Sequence, residues 1–133
     1  MTVAVEPYRP LDAVAQLRLV LAGEGGPEWW LRLSEALDAL RAHLARTDVS
    51  GIADQVLADA PELAAAATRL PRMRQAVKAE ATRLRLRIDR VGLREDVRDV
   101  RASASALAQH VRRLERSAED LLHDAYQRDF GGE

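Results

Sequence analysis

The stretch VRDVRASASALAQHVRRLERSAEDLLHDA, residues 97–125, decides the fold. Within it Val97, Val100, Ala104, Leu107, Val111, Leu114, Ala118, Leu121 and Ala125 follow one another at alternating steps of three and four. A helix with about 3.6 residues per turn carries all of them on one face. The spacing therefore predicts a long amphipathic helix, over residues 94–129, with a partner to bury against. Only Val, Leu and Ala occupy the seam, so it offers a dry surface with no metal ligand and no nucleophile.

Upstream, the apolar phase resets at Gly92, because continuing the preceding stripe would carry Glu95 and Arg98 into the core. A turn at 92–93 is expected. The preceding stripe is Leu63, Ala67, Leu70, Met73 or Arg74, Val77, Ala81, Leu84, Ile88 and Val91, which predicts a third helix from Pro61 to Val91. Pro71 lies inside it, removes one backbone hydrogen bond and predicts a kink. A second helix starts at Pro27, where proline suits the first turn and Glu28 suits the dipole, and buries Trp30, Leu33, Leu37, Leu40 and Leu44. Residues 47–51 break it, and Ser50 is placed to cap a short helical piece ending near Ala60-Pro61. A first, short helix begins at Leu11 with Asp12 near its start, and Gly23, Gly25 and Gly26 end it.

Residues 1–10 read as an extended lead-in, 11–130 as a single helical domain and 131–133 as a tail. No segment alternates with period two, so strands are not expected. Four amphipathic helices with short connections predict an all-α, up-down four-helix bundle with long third and fourth helices. At about 1.5 Å per residue the fourth would reach on the order of 50 Å and the first only about 15–20 Å. Part of the long hairpin then lacks a cover, for which a second subunit is the natural candidate.

Composition sets further bounds. The 133 residues are 47% hydrophobic and 31% charged, as expected of one globular domain. Tyr8, Trp29, Trp30, Tyr126 and Phe130 are the only aromatics, so the core is aliphatic. The absence of cysteine excludes disulfides, thiolate metal sites and a cysteine nucleophile. No apolar run approaches the roughly 18 residues of a membrane span, and the start lacks the basic and apolar regions of a signal peptide. A cytoplasmic protein is expected, and the excess of Ala and Arg is associated with GC-rich bacterial genomes. The net charge of −1 hides an asymmetry. Residues 1–68 are acidic, 69–101 strongly basic and 102–133 mildly acidic, so the parts can attract one another within the fold or between copies.

Three constellations are candidates for chemistry. His43 flanks the second seam and makes a His-x4-Asp pair with Asp48, while His110 flanks the long seam. Across a bundle these two histidines could meet with Asp48 or Glu115 and hold one ion; the alternative is a hydrogen-bonded flanking histidine. His123 lies on the far side of the long seam. Arg83, Arg87, Arg90, Arg94, Arg98 and Arg101 step along the third and fourth helices as a basic stripe. Like charges at such spacing destabilise a helix by a few tenths of a kcal/mol per pair. Nearby acids, the acidic second helix or an anionic partner such as nucleic acid would offset that. Trp29 and Trp30 open the second helix; they serve either packing or partner docking. Ser103 and Ser105 have no adjacent base, and no catalytic residue is assigned.

The run His43-Leu44-x-x-Thr47-Asp48, the stretch Asp59-Ala60-Pro61-Glu62-Leu63, Arg69-Leu70, and the tail from Asp120 to Glu133 resemble small hemerythrin-like (HHE-type) helical bundles of high-GC Gram-positive bacteria. The resemblance touches residues 28–133 in patches. It implies an up-down four-helix bundle, in a family whose full members bind two irons for oxygen or redox sensing. Relatives carry a histidine shortly after the Arg-Leu of the third helix, where this chain has Pro71-Arg72-Met73-Arg74-Gln75. The resemblance therefore implies a bundle that has lost most of its di-iron ligands, with His43 and Asp48 as the remnant.

Three functions follow as expectations. The first is a non-enzymatic bundle without cofactor, acting by self-association or by binding a protein partner. The second is a reduced iron or oxygen-sensing site at His43, Asp48 and His110. The third is polyanion binding through the arginine stripe.

Overall fold

A computed structural model describes residues 12–46, 49–91 and 96–131. The expected lead-in over 1–10, the turn at 92–93, Thr47, Asp48 and Arg94 lie outside the described residues. Everything regular within them is helical: α1 (Ala13–Leu21), α2 (Pro27–Arg46), α3 (Val49–Asp59), α4 (Ala64–Val91) and α5 (Val97–Gly131), with one 3-10 turn (Pro61–Leu63) ahead of α4. The protein is all-α, and the expected third and fourth helices are the long α4 and α5.

Local chemistry explains the boundaries. Asp12 is extended and accepts the Ala15 N–H at 2.9 Å, so it is the N-cap of α1. Pro27 opens α2 with Glu28 in its first turn, and Glu28 pairs with Arg32 at 2.7 Å one turn on. Ser50 does not cap: α3 already starts at Val49. Pro61 opens the 3-10 turn rather than the helix itself, which begins at Ala64 and runs continuously through Pro71.

The helices pack as α1 on α2, α2 on α4, α4 on α5 and α5 on α1, while α3 packs on both α4 and α5. Cross-links give their directions. Glu80 meets His110 at 2.8 Å and Arg87 donates to Ser103 at 3.4 Å, so α4 and α5 are antiparallel. Arg85 donates to Asp38 at 2.9 Å and also pairs with Asp89 in its own helix; both carboxylates, Asp38 foremost, hold its guanidinium above the ordinary value. Both seams are in the core, from Leu33 to Leu44 and from Val100 to Ala125 apart from the partly exposed Ala118, and that core contains no charged or polar side chain among the described residues.

The cover expected from a second subunit comes instead from within the chain. At about 1.5 Å per residue α1 spans about 14 Å and α3 about 16 Å. The first lies along the N-terminal half of α5, from Arg101 to Arg112, and the second takes over beside Leu114 and Ala118. Two short helices in series thus do for α5 what one long helix does in a regular bundle. Leu114, Leu121 and Ala125 are buried without a second chain.

Two arginines fasten helix ends. The last carbonyls of a helix have no partner within it. Arg101 donates to the carbonyls of Leu21 and Gly23, the latter at 2.9 Å, while its guanidinium sits 5.1 Å over the Trp29 ring. Trp29 in turn donates its indole N–H to the Val20 carbonyl at 2.8 Å. Arg74 does the same for α2, donating to the Leu44 carbonyl at 2.8 and 3.1 Å. Gly25 lets the α1–α2 loop lie against the start of α5, since a Cβ there would stand 3.0 Å from a Val97 methyl.

Candidate functional site: a cleft between the two short helices

Where α1 begins and α3 takes over, α5 is not fully covered. A cleft of about 420 Å³ opens there, bounded by the start of α1, the end of α2, the start of α3 and the middle of α5. Its floor is apolar: Leu44, Val49, Ile52, Val111, Leu114 and Ala118. Ile52 and Ala118 are partly exposed and the other four are buried. Its rim is charged: Asp12, His43, Arg112, Glu115 and Glu119.

The rim is a chain of ion pairs. Arg112 reaches Asp12 at 3.2 Å and Glu115 at 2.8 Å, and the other Glu115 oxygen lies 3.4 Å from His43 Nε2. Burial works against the Arg112 cation, yet its hydrogen bonds to Glu115 and Asp12 hold it above the ordinary value. The Asp12 carboxyl is held below its ordinary value of 3.8, first by the Ala15 N–H and further by Arg112. Among the described residues three carboxylates face one guanidinium and one imidazole, so the rim is net negative.

Asp12 yields a pH prediction. A carboxyl whose folded value is depressed adds stability above its unfolded value and loses it as pH falls through the folded one. Asp12→Asn keeps a capping oxygen but loses the charge. Urea melts are expected to show wild type more stable than Asp12→Asn at neutral pH, with the gap closing below the ordinary carboxyl value of 3.8. Asp12→Ala, which loses the cap as well, is expected to cost about 1 kcal/mol at neutral pH.

Among the described residues no Ser, Thr, Cys or Lys lines the cleft, so its imidazole–carboxylate pair has no nucleophile there to activate. The two candidate metal histidines are not brought together: His43 faces Glu115, and His110 faces Glu80 on α4. Residues 110 and 115 stand about 140° apart on one helix. No group of three or more His, Asp and Glu able to hold a metal exists among the described residues. The sequence offers Glu115 as a partner of His43, and the structure pairs the two; it offers Asp12 only as a helix start, and Arg112 not at all.

The other expected sites fare differently. Trp29 and Trp30 are 4% and 7% exposed and pack edge to face with centroids 5.0 Å apart, so they are core and not a docking patch. The arginine stripe is not one surface. Arg101 is spent on the end of α1 and Arg87 bonds Ser103, while Arg83, Arg90 and Arg98 are exposed.

Compared with protein-family models, with curated proteins and with solved structures, the chain matches none of them.

Proposed function

We propose that this chain is a non-enzymatic, cytoplasmic helical module that binds a protein partner through the cleft between α1 and α3. Its scaffold is read as an up-down four-helix bundle of α1, α2, α4 and α5, with α3 as an added cover. The antiparallel pairs α1–α5, α2–α4 and α4–α5 support that reading. Kinship with hemerythrin-like bundles is proposed for the scaffold alone, without the di-iron chemistry, because His43 and His110 face different helices.

One observation carries the functional reading: an apolar floor, partly exposed at Ile52 and Ala118, beneath a net-negative rim. A concave apolar surface with a few convergent polar groups is the usual form of a binding site. The complementary partner is a segment presenting an aliphatic side chain to the floor and a basic residue to Glu115 and Glu119. A second copy of the chain is one protein that can supply such a segment.

A photo-crosslinking amino acid in place of Ile52, in cells that make the protein, is expected to give one discrete adduct. The same group at Leu86, exposed on α4, is expected to give none. Ala118→Glu places a charge on the floor and is expected to lower the adduct yield by roughly tenfold or more, as for a central interface residue. Equal labelling from both positions, or an adduct indifferent to Ala118→Glu, would overturn the reading. Light scattering then tells a second copy from a different protein.

A further inference from the structure

A second concavity, of about 350 Å³, lies between α1 and α5 and shares Arg112 with the cleft. Arg18, Gln109, Arg112, Arg113 and Arg116 line it, and no carboxylate among the described residues does. Gln109, Arg113 and Arg116 step by four and three along the outer face of α5, and Arg18 comes from α1. Arg112 is engaged with Asp12 and Glu115. Among the described residues Arg18, Arg113 and Arg116 have no ion-pair partner.

We infer that this hollow is an anion site, and that its ligand is a compact diphosphate, two linked phosphoryl groups free in solution or carried on a small molecule. Guanidinium forks match phosphoryl oxygens in shape and charge, and the Gln109 amide adds a neutral donor. Three arginines lining one hollow repel one another at i,i+3 and across the helices, and a polyvalent anion reverses the sign of that interaction. Donor count favours two phosphoryl groups over one: three guanidinium forks can engage six oxygens, where orthophosphate offers four and diphosphate six terminal ones. The surroundings favour a compact ligand over a polymer. Asp120, one turn beyond Arg116, and Asp124 after it are exposed along the same helix, so an RNA strand or a membrane surface spreading from the hollow would meet like charge. The hollow shares only Arg112 with the rim of the partner cleft, and it lies outside the basic stretch 69–101 that the sequence singles out.

Calorimetric titration of the full chain with sodium diphosphate in low salt is expected to give saturable, one-to-one binding. Orthophosphate is expected to bind about tenfold more weakly. Arg113→Gln and Arg116→Gln are each expected to weaken diphosphate about tenfold, the order of one charge-assisted hydrogen bond, and Arg18→Gln somewhat less. Arg90→Gln, exposed on α4, serves as the control and leaves the affinity unchanged; unaltered circular dichroism melts establish that each variant folds. Absence of saturable binding, or equal affinity in the Arg113→Gln/Arg116→Gln double variant, overturns the inference. So does tight binding of an RNA oligomer or of phosphoinositide vesicles by a chain that ignores diphosphate.

Discussion

Leu107→Ala is expected to lower the stability of the protein by about 2–5 kcal/mol, the range for emptying a leucine-sized site in a core that relaxes only partly. Leu107 is 0% exposed at the centre of the α5 seam, flanked by Val100, Ala104, Val111 and Leu114, all buried. The alanines on that seam bring neighbouring helices close, so the packing has little slack with which to collapse onto a void. Domains of this size have only about 5–15 kcal/mol of stability in total, so the loss translates into a fall in Tm on the order of 10 °C. Leu86→Ala is the matched control. Leu86 is 47% exposed on α4, and its truncation is expected to stay within about 0.5 kcal/mol. Leu107→Met, which conserves volume, is expected to cost less than about 1.5 kcal/mol. The melts are also expected to be independent of protein concentration, because α1 and α3 cover the seam from within the chain. A midpoint that rises with concentration would mean that a second chain completes the core.

The seams were legible because periodicity records directly which face of a helix is apolar. What it does not record is the identity of the cover. Residues 49–59 read as a minor piece after a break, since eleven residues with one glycine give a weak pattern. Their importance comes from where α1 stops, and that is a matter of length along α5 rather than of their own composition. The cleft is a product of the same mismatch, so its floor was legible as core and its openness was not. Its rim was half legible: Asp12 announces itself as a cap, and Glu115 was placed near His43, but the Arg112–Asp12 pair joins positions 100 residues apart. Charge was the least legible property of all. A stripe of arginines at helical spacing reads as one surface, yet a guanidinium on a long, flexible stem can turn to whichever carbonyl is left without a donor. At Arg101 and Arg74 those carbonyls belong to the ends of α1 and α2. The cluster with no such outlet, Arg18 with Arg113 and Arg116, is assembled from two distant segments and leaves no run in the sequence.

Arg101→Ala is accordingly expected to behave as a core lesson and not as a surface one, with a loss of about 2–3 kcal/mol. The guanidinium donates to two carbonyls at the end of α1, and hydrogen bonds to charged donors are worth about 1.5–3 kcal/mol. Stacking over Trp29 adds about 0.5–1 kcal/mol. Part of that total is recovered when water reaches the freed carbonyls, because Gly23 is exposed. Arg98→Ala, an exposed arginine three residues earlier, is expected to stay within about 0.5 kcal/mol. Charge alone does not rescue the site: Arg101→Lys retains the cation but not the planar fork that spans two carbonyls, and is expected to recover less than half of the loss. Arg101→Met retains the stem over the indole and loses every donor, so it separates packing from hydrogen bonding. Fluorescence supplies a readout that a surface role would not move. Removing the cover of Trp29, otherwise 4% exposed, is expected to shift its emission to the red in Arg101→Ala but not in Arg98→Ala. Equal stability and unshifted emission in the two variants would return Arg101 to the solvated stripe and leave α1 without its fastening to α5.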